Sequence, residues 1–94
     1  KVEDPAMDLA VCVALISSYE EVVMPTDVAF AAEVGLGGEV RAVNRVDNRI
    51  SEAAKLGFRK IFISKNNMKG LDVNKFDILI VPVAMLNEVL DSLV

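Results

Sequence analysis

Apolar residues run through this chain in short blocks whose spacing switches between the period of a strand and that of a helix. The clearest passage covers 28–64. Val28 to Val34 alternates small and apolar residues, which predicts a largely buried strand. Gly35-Leu36-Gly37-Gly38 then supplies positions that tolerate positive φ, as a short hairpin loop requires. Glu39 to Val43 returns as the second strand. Asn44 is the expected N-cap of the next helix, with Asp47 three residues on completing a capping box. Val46, Ile50, Ala53 and Ala54 fall on one face of that helix. Gly57 is expected at its C′ position, with Phe58 folding back onto the last turn. Lys60 to Ile63 predicts a short apolar strand.

The flanks extend this pattern. Asp4-Pro5 reads as a helix start, a capping carboxylate followed by proline in the first turn. The helix is expected to reach Tyr19 or Glu20 and to bury Leu9, Cys12, Val13 and Ile16, with Ala6 and Val11 beside them. Glu21 to Asp27 predicts a loop, in which Met24-Pro25 stops regular structure. Ser64 to Lys75 is polar and irregular. Phe76 to Val81 is a continuous apolar run, which predicts a strand covered on both faces and closed by Pro82. Met85, Leu86, Val89, Leu90 and Leu93 predict the inner face of a terminal helix. The expected order is α-β-β-α-β-β-α in a two-layer α/β (α+β) domain, without repeats, linkers or low-complexity segments.

Composition narrows the class. Ninety-four residues, 53% of them hydrophobic and 5% aromatic, suit one compact α/β domain and argue against disorder. No apolar run approaches the roughly 18 residues of a membrane span, and the charged first residues do not resemble a signal peptide. The single cysteine, Cys12, lies in an apolar helix face, where a packed thiol in a reducing cytoplasm is expected. Charge is distributed unevenly. Residues 1–40 hold one base against eight acids, and residues 41–75 hold nine bases against three acids. Such polarity suits nucleic acid on one side, or head-to-tail contact between subunits.

The passage EVGLGGEVRAVNRVDNRISEAAKLGFRKIFIS, together with DPAMDLAVCVALISS, resembles the C-terminal Lon-protease-like domain of the RadA (Sms) family of bacterial DNA repair proteins. The resemblance covers nearly the whole chain. It implies a Lon proteolytic-domain-like fold entered partway, so that 1–94 is a fragment of a longer protein lacking the family's N-terminal strands. It further implies a parent with a zinc-binding element and a RecA-like ATPase. ATP with magnesium and zinc are then expected outside this chain, and no cofactor within it. Such parents form hexameric rings that drive branch migration, so the implied partners are further copies of the chain and DNA, with no membrane. The wider relatives are Lon-type serine peptidases and the Lon-like domain of magnesium-chelatase-type ATPases. Both remain alternatives, and the wording EVGLGGEV…EAAKLGF favours the repair family.

Lon-type peptidases use a serine–lysine dyad, the serine at a helix start and the lysine, neutral through burial, as base. The resemblance places the serine position on Ala6 or Met7, in the run Asp4-Pro5-Ala6-Met7-Asp8. An ungapped match from Gly38 to Ser64 places the lysine on Asp47, with Asn44 and Arg45 where the family has two glycines. None of these side chains can act as the family's nucleophile or base. Ser17 and Ser18 lie about three turns further along the helix, and Ser64 is without an evident base. The chain has no histidine and one cysteine, which leaves no ordinary zinc set or Cys/His nucleophile. Gly35 to Gly38 lacks the P-loop pattern and lies between strands rather than before a helix. The expectation is a domain without peptidase activity.

The remaining positive signal is basic: Arg41, Arg45, Arg49, Lys55, Arg59, Lys60, Lys65 and Lys69. One reading is a solvated face with local pairs such as Arg49–Glu52 and cations that complement a helix C-terminus. The other is a phosphate-contacting surface, which needs clustered cations but no aromatic platform for duplex DNA. Arg45 and Arg49, four apart, are expected to share one helical face.

Overall fold

The computed structural model describes residues 6–19 and 27–93. Along these residues run β1 (Ala6–Asp8), α1 (Leu9–Tyr19), β2 (Val28–Ala31), β3 (Glu33–Gly35), β4 (Val40–Arg41), α2 (Val46–Lys55), β5 (Lys60–Ser64), β6 (Leu79–Val83) and α3 (Leu86–Leu93). The order is therefore β-α-β-β-β-α-β-β-α, not the expected α-β-β-α-β-β-α. Two three-stranded sheets result. One is antiparallel in the order β1-β3-β4, and the other is parallel in the order β2-β5-β6.

The first departure lies before α1. Asp4-Pro5 falls outside the described residues, but Ala6–Asp8 is extended and pairs with Glu33–Gly35, so the helix does not start there. Asp8 caps it instead: its Oδ1 accepts from the Ala10 N–H at 2.9 Å and the Val11 N–H at 3.4 Å. Starting the helix at Leu9 buries Leu9 and Val13, half-buries Cys12 and Ile16, and turns Val11 outward at 49% exposure, contrary to expectation. The cause is the helical period, which puts 11 and 15 opposite 9 and 13. The side chain of Ala6 and the expected loop from Glu21 lie outside the described residues, except Asp27. The Asp27 carbonyl accepts from the Arg59 N–H at 2.9 Å.

The second departure is at Ala32. The run Val28 to Val34 is not one strand. Val28–Ala31 pairs in parallel with β5, and Glu33–Gly35 crosses into the antiparallel sheet. Ala31 and Ala32 are both fully buried but in different clusters, and the Ala32 carbonyl accepts from the Leu9 N–H at 2.9 Å. Small side chains let the backbone change sheets inside the core. The Gly35–Gly38 turn then behaves as expected. The Gly38 N–H donates to the Gly35 carbonyl at 3.0 Å, and Gly38 takes φ 82°.

The core is divided by the parallel sheet. Ile61 and Ile63 of β5 face Ala31 and the α2 residues Val46, Ile50 and Ala53. Phe62 faces the other way, among Leu9, Val13, Val34, Val40, Val83 and Val89, and stacks on Phe30 at a centroid separation of 5.6 Å. Burying one such side chain is worth about 1.5–3 kcal/mol. The sheet is thus covered on both faces, by α2 on one and by α1, α3 and the antiparallel strands on the other, which replaces the two-layer expectation.

At α2 the cap differs from expectation. Arg45, not Asn44, precedes the helix, in the left-handed conformation (φ 56°), and no side chain caps the first turn. The C-terminus follows expectation. Gly57 takes φ 92°, its N–H donates to the Ala54 carbonyl at 3.2 Å, and the Phe58 N–H donates to the Ala53 carbonyl at 3.1 Å. That is the paired closure of a Schellman turn. Residues 65–75 contain two short 3-10 turns, Lys65–Asn67 and Val73–Lys75. The FDILIV run forms a strand only from Leu79, and it continues through Pro82 rather than ending there. Its register with β5 sets the start, Lys60 opposite Leu79, and its place at the sheet edge tolerates a proline and leaves Leu79 59% exposed. At α3 Val89 is buried, whereas Met85 lies before the helix and is exposed. Glu88 closes that helix start, accepting from the Ala84 and Met85 N–H groups at 2.8 and 2.7 Å.

Candidate nucleic-acid interface

The eight basic candidates do not form one patch. Helix α2 runs back between the parallel strands β2 and β5, so its start lies beyond their C-terminal ends and its finish beside their N-terminal ends. Ten residues of helix separate these ends by about 15 Å. Arg45, Lys65 and Lys69 belong to the first end, and Lys55, Arg59 and Lys60 to the second. Arg41 belongs to neither. Its Nη2 meets Glu39 Oε2 at 2.7 Å and its Nε meets the same oxygen at 3.1 Å, bracing the hairpin.

Arg45 and Arg49 also separate. The Arg49 N–H donates to the Arg45 carbonyl at 3.2 Å, yet Arg45 lies outside the helix. Its residue lines a cleft against the 66–76 segment, whereas Arg49 lines a shallow apolar groove beside Phe30, Leu56 and Phe58. Lys60 Nζ lies 5.6 Å from the Phe62 ring centroid, a cation–π distance. Lys55 ends α2, where its charge complements the helix dipole. Arg59 lines a shallow depression with Asp77. Lys65 faces α3, its charge helping to hold the Glu88 carboxyl below the ordinary glutamate range. The larger causes there are the hydrogen bonds from the Ala84 and Met85 N–H groups. Glu39 is lowered likewise, first by its hydrogen bond from Arg41.

The cleft beside Arg45 has a volume of about 350 Å³. Lys69 and Lys75 reach it from the facing segment, and Asp47 and Asp72 lie on its wall. Asn67 positions that segment. Its Oδ1 accepts from the Val43 N–H at 2.9 Å and its Nδ2 donates to the Val43 carbonyl at 3.0 Å. Lys75 and Asn67 carry no signal of this role in the sequence. Both lie in an irregular stretch, where no periodicity assigns a direction to a side chain.

The positions matched to the peptidase dyad lie on different elements. Ala6 and Met7 are in β1 of the antiparallel sheet, and Asp47 is in the first turn of α2. Ser17 and Ser64 are otherwise engaged. The Ser17 hydroxyl donates to the Ala14 carbonyl at 3.2 Å. Ser64 is fully buried, donating to the Val40 carbonyl at 3.2 Å and accepting from the Asn66 N–H at 3.1 Å. Among the described residues no group of three or more His, Cys, Asp or Glu could hold a metal ion, and no helix is long and apolar enough to cross a membrane.

Comparison with known proteins locates the chain. Residues 1–67 match the family model described as subunit ChlI of Mg-chelatase. The chain is 47% identical over 90 residues to the DNA repair protein RadA of Streptococcus pneumoniae (strain ATCC BAA-255 / R6), covering 96% of this chain and 21% of that protein. It is 44% identical over 90 residues to the protein of the same name from Listeria monocytogenes, covering 96% of this chain and 20% of that protein. For Bacillus subtilis (strain 168) the identity is 43% over 70 residues, covering 74% of this chain and 15% of that protein. The chain thus spans about a fifth of the length of the first curated relatives it matches. These matches bear out the resemblance carried by EVGLGGEV and EAAKLGF.

Proposed function

We propose that this chain, which belongs to the family described as subunit ChlI of Mg-chelatase, is one domain of a RadA-type DNA repair protein, a scaffold without peptidase activity that contacts DNA. The identity of 47% over 96% of the chain to a protein named DNA repair protein RadA carries this reading. The Lon-like fold assignment belongs to the same proposal. So do ring assembly with further copies in the parent, a cytoplasmic location, and ATP, magnesium and zinc bound elsewhere in the parent.

Two features support the absence of peptidase chemistry. A serine nucleophile needs a base within hydrogen-bond reach, and the matched positions offer Ala6 or Met7 and Asp47. Ser64, the buried alternative, already donates its proton to a backbone carbonyl. DNA contact is supported by the cations at both ends of α2, which neutralise phosphates without needing base recognition.

A second reading, the corresponding domain of a magnesium-chelatase-type ATPase, is favoured by the family match over 1–67. The DNA contact of the first reading is tested by DNA binding of the parent protein with and without residues 1–94, measured across a salt series. The repair reading expects deletion to weaken binding and to flatten its salt dependence. Equal affinity and slope in both forms would leave the scaffold role without a DNA contact.

A further inference from the structure

We infer that the cleft at the start of α2 binds a phosphate group, held by Arg45, Lys69 and Lys75. Three separate segments bring these cations to one concavity: the residue before α2, the loop after the first 3-10 turn, and the last residue of the second. Among the described residues none of the three makes an ion pair, in contrast to Arg41. The carboxylates of Asp47 and Asp72 on the same wall offset part of this charge, three cations against two anions, so the lining keeps a net positive charge. Asp72 Oδ1 accepts from the Asn74 N–H at 3.2 Å, and Asp47 sits in the first turn of α2, where a helix start favours negative charge.

The surroundings strengthen an ionic contact. Val43, Val46, Leu71 and Phe76 contribute apolar wall, which lowers the local dielectric beneath the cations. The two hydrogen bonds between Asn67 and Val43 join the facing wall to the strand side, so the cleft is built before any ligand arrives. About 350 Å³ takes a phosphate with its nearest sugar, at the small end of ligand sites, but does not admit a duplex. The ligand is therefore a protruding phosphate, either a diester of a nucleic-acid backbone or a free monoester. The diester source rests on the DNA-contact reading, whereas the site itself does not.

The test follows amide NMR shifts of the 94-residue chain at constant ionic strength, first with inorganic phosphate and then with a short duplex lacking terminal phosphates. Both probes are expected to move the amides of Val46, Asp47, Lys69 and Gly70 saturably. The double variant K69Q/K75Q should weaken both titrations about tenfold, and K69R/K75R should restore them. Arg45→Gly suits the left-handed backbone at that position while removing the guanidinium, so it should weaken binding without unfolding the chain. K55Q/R59Q, at the far end of α2, should change the cleft titration less than twofold. Shifts with phosphate alone would keep the site and remove the DNA contact there. A duplex that moves only the amides around Lys55 and Lys60 would keep the DNA reading and overturn the cleft. Unmoved cleft amides with both probes, or wild-type affinity in K69Q/K75Q, would overturn it as well.

Discussion

Asn67 satisfies both backbone groups of Val43, accepting from its N–H at 2.9 Å and donating to its carbonyl at 3.0 Å. A single side chain thus imitates a strand neighbour across 24 residues of sequence. Replacing it with alanine leaves two half-buried backbone groups unpaired. Asn67→Ala is expected to lower unfolding stability by about 1–3 kcal/mol, read by urea denaturation. Amide exchange at Val43 should quicken in the same variant, and unchanged exchange there would show that water replaces the amide.

Gly57 is tested by a substitution that meets no neighbour. A Cβ at this position finds nothing within 4 Å, so Gly57→Ala isolates the cost of φ 92° for an L residue. A loss of about 1–2 kcal/mol is expected, with asparagine costing less because it tolerates the left-handed region better. Equal stability of the alanine variant would mean that the turn relaxes out of that conformation.

Glu88 makes the chain sensitive to acid. Hydrogen bonds from the Ala84 and Met85 N–H groups lower its folded pKa below the ordinary value of about 4.3. A lowered carboxylate pKa contributes stability that is present above the unfolded pKa and is lost as pH falls through the folded one. Glu88→Gln should therefore lower the melting temperature at neutral pH. The gap to the parent sequence should close progressively below about pH 4. Glu39, lowered chiefly by Arg41, keeps part of the acid dependence in that variant. A gap constant with pH would assign the loss to packing instead.

Arg45 and Arg49 are one turn apart but line different surfaces, the polar cleft and the apolar groove. If both contact phosphates in the parent protein, the double alanine variant should weaken DNA binding. It should also reduce the salt slope by about one to two units, since each neutralised phosphate contributes about 0.9. The single variants resolve the pair. A slope lowered by Arg45→Ala but not by Arg49→Ala confines the contact to the cleft, and an unchanged slope in the double variant removes both residues from it.

Local chemistry made several elements legible without coordinates. Gly57 followed by Phe58 closes α2 as its residue types predict, Gly35 to Gly38 turns the hairpin, and the short run from Lys60 to Ile63 lies in a strand. The two turns depend on contacts within a few residues, and the strand is marked by its own apolar run. The split at Ala32 has no such local mark, because a strand's period says nothing about which neighbour it pairs with, and two buried alanines fit one sheet as well as a crossing between two. The same limit explains β6, whose start is set by the register of Lys60 opposite Leu79 rather than by the first apolar residue, Phe76. It also explains the basic residues. Spacing along the chain groups Arg45 with Arg49, but Arg45, in a left-handed backbone before the helix, lines the same cleft as Lys69 and Lys75, beside the segment that Asn67 ties to Val43. The sequence alone determined where the chain can turn and which residues are apolar enough to bury. Tertiary structure decided which strands pair and which charges meet, because those depend on free energy gained between segments distant along the chain.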